Sequence, residues 1–259
     1  MDQCKTCSAP IPDAQVYCSM KCWQEAKLPS ELFSNEEQLN FSTSEWIKAQ
    51  AITWSSIIGM IVSLFLLLVV VSSFVVDFTL YLISSTIVLS IFVFLVLRYI
   101  YDSDEMNKLL ATPRTLDTWK LIGFALAIDI FVVKPLHIVF TIYFFPEAQE
   151  QAVITALEEM SQFSAILTAF SVSILTPILE ELLFRGFILG MLLKCYNEKV
   201  AIVISAIIFA VVHEPVAIGM AFGGGMIYGW LRVRTGSIIP STIAHIFWNS
   251  FISFVVLLY

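Results

Sequence analysis

The chain has 259 residues, 58% of them apolar and only 14% charged, with a mean hydropathy of +0.85. A soluble domain carries about 25% charged residues, so this chain cannot cover itself in water. Its formal net charge of −7, from 14 Lys and Arg against 21 Asp and Glu, excludes nucleic acid as a partner, because phosphate binding needs clustered cations.

The expected fold class is an all-α polytopic membrane protein of about seven (six to eight) transmembrane helices, preceded by a small N-terminal zinc-binding module. Residues 1–22 show neither a basic n-region nor an apolar h-region, so no cleavable signal peptide is expected. They hold four of the five cysteines, as Cys4-x2-Cys7 and Cys18-x3-Cys22. Two such knuckles place four thiolates tetrahedrally around one structural Zn²⁺. Disulfides are the alternative, disfavoured because the tail is expected in the cytoplasm, where thiols stay reduced. Residues 1–27 resemble a treble-clef or zinc-ribbon module. So short a segment draws most of its stability from metal, and its role is structural or the recruitment of a protein partner. Residues 28–50 read as a linker.

The membrane region then begins. Apolar runs cover 51–76, 78–101 and 119–145, the third interrupted by Asp129, Lys134 and His137. Residues 51–145 thus form the N-terminal set of spans, and 146–162 an acidic, amphipathic, extracytoplasmic connection. Runs at 163–194, 200–213, 216–231 and 238–259 make up the core, 163–259. A helix rises about 1.5 Å per residue and needs roughly 20 residues to cross the hydrocarbon. The run 163–194 is too long for one upright span, and Pro177 within it predicts a kink or a break into two. Gly219, Gly223, Gly224, Gly225 and Gly229 read as small residues for close helix packing. Cys195 reads as ordinary packing.

With seven spans, Lys5, Lys21, Lys27, Lys48, Arg98, Lys108, Arg114, Lys120, Lys194, Lys199, Arg232 and Arg234 all fall on one side. By the positive-inside rule the N-terminus is then cytoplasmic and the C-terminus outside, in a plasma or inner membrane. A split of the fourth run would change that parity.

Ionisable groups inside spans are costly and mark function by default. The run 163–194 contains Glu180-Glu181-x3-Arg185, the next run ends in Phe209-x3-His213, and the last contains His245-x3-Asn249. The i,i+4 spacing puts Glu181 with Arg185, and His245 with Asn249, on single helix faces. Adjacent Glu180 and Glu181 point about 100° apart, so Glu181 neutralises Arg185 and Glu180 is left to face a cavity. Counting about 1.5 Å per residue from the cytoplasmic ends puts these groups at overlapping depths. Asp129, Lys134 and His137 read as an internal ion-pair network, with a cavity lining or proton path as the alternative.

These three motifs resemble those of the CPBP family, which includes the CAAX prenyl proteases of the Rce1 type and the Abi proteins. The resemblance covers roughly residues 160–258. It implies an intramembrane endopeptidase acting on a peptide or protein substrate in or at the lipid bilayer, with CAAX-type processing within its range. Glu180 and His213 would activate water, His245 and Asn249 would form the oxyanion hole, and Glu181 with Arg185 would be a supporting ion pair. The residues themselves support the same division: a carboxylate in an apolar setting suits general base work, and imidazole and amide N–H groups can face an oxyanion. A metal-dependent route, with Glu180, His213 and His245 as active-site Zn²⁺ ligands, stays open. So do two readings of another class. One is a proton-coupled transporter built on Asp129, Lys134 and His137. The other is a non-catalytic membrane scaffold or immunity protein whose zinc tail recruits a partner.

Overall fold

The structure, a computed structural model, describes residues 2–3, 10–11, 43–75, 77–145 and 160–258. It divides into two units, Met1–Ile58 and Gly59–Tyr259.

In the first unit, β1 (Asp2–Gln3) pairs antiparallel with β2 (Pro10–Ile11), Asp2 opposite Ile11 and Gln3 opposite Pro10. Cys4, Cys7, Cys18 and Cys22 lie outside the described residues, as does most of the linker. Helix α1 (Thr43–Ser72) starts ahead of the apolar run at Ala51, so its first two turns are polar.

Among its described residues, the second unit is all-helical. After the end of α1 come α2 (Phe78–Ile100), α3 (Ser103–Leu109), α4 (Leu116–Phe144), α5 (Gln162–Leu192), α6 (Glu198–Val211), α7 (Ile218–Thr235) and α8 (Ile239–Leu258). Local chemistry sets their ends. Asp77 accepts the Leu80 N–H at the start of α2, Asp102 and Glu105 form a capping box on α3, and Asn197 accepts the Val200 N–H of α6. Helix α7 stops at Gly236, whose φ of +71° is the left-handed conformation glycine adopts without strain. Among the described residues five helices are long and apolar enough to cross a membrane: Ile47–Ser72, Phe78–Ile100, Leu116–Phe144, Gln162–Leu192 and Pro215–Thr235. The protein is an integral membrane protein, and side chains such as Phe65, Leu80, Leu95, Phe131 and Ile142 are left exposed for lipid. Helix α8 has 20 residues; α6, with 14, is about 21 Å long.

The fourth run is one continuous helix, not two. Proline lacks an N–H and its ring clashes with the carbonyl four residues back, yet α5 passes through Pro177. The reason is a π-helical turn, Ser171–Leu175, directly upstream, in which the Thr176 N–H bonds Ser171 O. The wider register takes up the proline without a break. Helix α4 does the same: the turn Asp129–Val133 is π, and Pro135 follows one residue after Lys134. A second π stretch in α5, Glu181–Ile188, begins at the paired glutamates.

Glycines set the packing of α7 on both sides. A Cβ at Gly223 would run into Val133 of α4, and one at Gly219 would press on His137 and Phe140. On the other side, a Cβ at Gly225 would come 3.0 Å from Ala206 Cα, and one at Gly229 3.1 Å from Ile202 Cγ2, both on α6. Small residues let backbones approach closely in lipid. Ile122, Ala125, Ile227, Tyr228, Leu231 and Ala244 close the core between α4, α7 and α8. The Ser237 hydroxyl, donating to Leu109 O (3.0 Å) and Ala111 O (2.7 Å), ties the α7–α8 turn to the end of α3.

Candidate active site

Glu180 and Glu181 diverge into different surroundings. Glu181 is fully buried: its Oε1 lies 3.1 Å from Arg185 Nη1 and 3.2 Å from His245 Nδ1, and its Oε2 accepts the Ser241 hydroxyl at 2.6 Å. Arg185 is equally enclosed, its guanidinium 4.4 Å from the ring centre of Phe209 and 5.4 Å from that of Tyr228. Glu180 retains 20% of its side-chain exposure and His213 26%, against 0% and 1% for Glu181 and Arg185. One carboxylate is sealed into an ion pair; the other keeps a fifth of its side-chain surface exposed.

Two imidazoles flank Glu180. His213 Nε2 lies 3.9 Å from Oε1, and His245 Nε2 lies 3.4 Å from Oε2. Each ring is held from behind through Nδ1. His213 donates to Phe209 O at 2.7 Å, and His245 faces the Glu181 carboxylate. Aromatic contacts fix the ring planes: Tyr228 stacks on His245 at 4.8 Å and 26°, and Phe209 meets His213 edge-on at 4.5 Å. In neutral His213 the Nδ1 proton is committed, which leaves Nε2 as an acceptor toward Glu180's space.

Asn249 is placed differently. Its Nδ2 donates to Val172 O, 3.0 Å away in the first π turn of α5, so one of its two N–H bonds is directed at backbone. Beside it, Ser173 donates to Ser253 Oγ (2.7 Å) and to Asn249 O (3.4 Å). Ser241, Tyr228 and the Val172 carbonyl were not singled out from the sequence. Ser241 had a signal, since Ser241, His245, Asn249 and Ser253 recur every four residues and form one polar stripe of α8. Tyr228, in a glycine-rich apolar helix, had none.

Asp129 and Lys134 pair at 3.4 Å, and Lys134 Nζ sits 4.2 Å over the Trp248 ring. They are five residues apart, a spacing that the π turn between them brings onto one face. His137 lies near Thr141 (3.5 Å) and Gly219 and makes no ion pair with the other two. Cys195, just past α5, is partly buried. Among the described residues no three His, Cys, Asp or Glu side chains converge as a metal site. His213 and His245 each approach Glu180, but the three do not form a three-ligand cluster.

Residues 162–251 match the family model described as type II CAAX prenyl endopeptidase Rce1-like. The chain is also 36% identical over 81 residues to a protein of Bacillus subtilis (strain 168) named "Putative membrane peptidase YdiL". That alignment covers 31% of this chain and about a third (33%) of the relative. No solved structure matches the chain. All three motifs fall inside the matched segment; the side chains of Glu180, Glu181, Arg185, Phe209, His213 and His245 meet, while that of Asn249 bonds the Val172 carbonyl. Residues 162–251 are thus similar to the Rce1-like, CPBP-type family across the segment that carries all three motifs.

Proposed function

We infer that the protein is an intramembrane endopeptidase that hydrolyses a peptide bond of a substrate at the bilayer, using a water activated by Glu180. The observation that carries this reading is the contrast within the glutamate pair: Glu181 is consumed by Arg185, while Glu180 stays partly open between two anchored imidazoles.

A water seated between Glu180 and His213 Nε2 donates one proton to each acceptor. Glu180 removes a proton as the oxygen attacks the substrate carbonyl, then passes it to the departing amine. The tetrahedral oxyanion needs donors. The second Nδ2–H of Asn249 is one. His245 serves only as an imidazolium, since its Nδ1 proton belongs to Glu181 and a neutral ring would offer a lone pair from Nε2. The family description makes a prenylated CAAX peptide one candidate substrate. The tail, with Cys4, Cys7, Cys18 and Cys22 around one structural zinc, would recruit a partner or regulate the core.

The test compares membranes carrying wild-type protein with membranes carrying Glu180→Gln, by quantitative proteomics, and follows with cleavage by the purified proteins. Substrates accumulate and cleavage stops in the variant if Glu180 is the base. Wild-type activity in Glu180→Gln removes the peptidase reading. Solute uptake into liposomes without cleavage would favour a transporter.

A further inference from the structure

Within the first π turn of α5 one carbonyl has lost both of its helical donors. The N–H of Thr176, four residues after Val172, is given to Ser171 O. The residue five after Val172, which would donate in a π register, is Pro177, and proline has no N–H. A carbonyl left without a donor inside an apolar bundle is destabilising. Val172 O receives its proton from another helix: Asn249 Nδ2, at 3.0 Å. Asn249 is the residue on which the proposed oxyanion stabilisation depends.

We propose that Pro177 is a positioning residue for Asn249: by withholding an N–H from the π turn, it keeps Val172 O open for the Asn249 amide and so fixes that amide beside the active site. The proline that interrupts the helix pattern in sequence thereby has a specific task. Ser173 adds a second link across the same seam, through Ser253 Oγ and Asn249 O, which holds α8 in register with the turn. Pro135 of α4 follows the π turn Asp129–Val133 in the same order but does not lie on α5, and serves as an internal control. The catalytic use of Asn249 rests on the peptidase reading. The Pro177–Val172–Asn249 relationship does not, so it is measured without an activity assay.

In Pro177→Ala a new N–H at position 177 competes for the turn's carbonyls. Thermal unfolding in detergent is measured for wild type, Asn249→Ala, Pro177→Ala and the double variant. In the wild-type background Asn249→Ala is expected to lower Tm by about 2–4 °C, the size of one hydrogen bond in a chain of this length. In the Pro177→Ala background that loss should fall by roughly half or more, because the carbonyl has another donor. The side-chain amide resonances of Asn249, identified in asparagine-labelled protein by their loss in Asn249→Ala, should shift in Pro177→Ala and stay in place in Pro135→Ala. Additive losses of Tm, or unmoved Asn249 resonances, overturn the proposal. Should Pro177→Ala not fold, Asn249→Leu decides: it is close in size and has no donor, so its Tm must fall as that of Asn249→Ala does. A wild-type Tm for Asn249→Leu overturns the proposal equally. If Glu180→Gln proves active, the peptidase reading fails while a coupled cycle still establishes the bond.

Discussion

His245 Nδ1 lies 3.2 Å from the carboxylate of Glu181, whose remaining contacts are Arg185 at 3.1 Å and Ser241 at 2.6 Å. Glu181 is therefore not a spare copy of Glu180. From full burial it fixes the tilt of the imidazole whose far nitrogen faces Glu180.

The two glutamates should then fail in different ways. Arg185→Ala strands a buried carboxylate, and Glu181→Ala a buried guanidinium; each is expected to cost about 3–5 kcal/mol of stability, read as a large fall in Tm in detergent. Glu180→Gln, at a partly open position, should leave Tm within a few degrees of wild type and abolish cleavage. Ser241→Ala removes one charge-assisted bond to Glu181 and should cost about 1.5–3 kcal/mol. Equal loss of Tm in Glu180→Gln and Glu181→Gln would refute this division.

Much of the site was legible because its information lies in spacing. Glu181 with Arg185 is an i,i+4 pair, the Phe209-x3-His213 spacing puts the ring against the imidazole, and the paired glutamates were bound to point apart. The π turns were not legible. Apolar periodicity fixes which side a residue faces, but a shift from i−4 to i−5 bonding leaves no mark in composition, so Pro177 read as a kink or break. For the same reason Asn249 read as a donor aimed only at an oxyanion: its partner is a backbone carbonyl, which has no letter of its own. The Asp129–Lys134 pair, spaced by five, also depends on the π register. His137, counted with them from the sequence, contacts Thr141 and makes no ion pair with Asp129.

The glycines of α7 give a prediction about packing alone. Gly225→Ala would place a Cβ 3.0 Å from the Ala206 backbone, and backbone cannot yield as a side-chain tip does. Helices α6 and α7 must separate, which displaces Phe209 and with it His213. A cost of about 1–3 kcal/mol is expected for this overpacking, together with lost cleavage. Gly59→Ala meets nothing within 4 Å and should leave Tm unchanged or slightly raised, since alanine is the better helix former. Equal Tm values for the two variants would show that the close approach does not govern the core.

Topology follows from charge. Lys194 and Lys199 after α5 and Arg232 and Arg234 at the end of α7 share the side assigned to Lys108, Arg114 and Lys120, which the positive-inside rule makes cytoplasmic. Because α5 is a single helix it counts as one crossing, and we propose on the charge pattern that the N-terminus lies inside. A cysteine placed at position 1 should react with impermeant reagent only from the cytoplasmic side, and one appended after Tyr259 only from outside. Labelling of both from one face would mean that α6 or another short segment does not cross.

The N-terminal cysteines supply the last prediction. Strands Asp2–Gln3 and Pro10–Ile11 pair on either side of the segment that carries Cys4 and Cys7, and a strand pair of two residues each is too short to be stable alone. We propose that metal stabilises this unit, because binding energy becomes folding energy when no site exists in the unfolded chain. Protein purified under reducing conditions should hold one zinc per chain. Cys4→Ser with Cys7→Ser should remove it, as should Cys18→Ser with Cys22→Ser, since three or four thiolates are needed to close a structural site. The site described here contains no cysteine, so zinc-free variants should keep cleavage if the tail only recruits or regulates. Zinc that survives both double substitutions would have to sit in the membrane core, and it would reopen Glu180, His213 and His245 as its ligands.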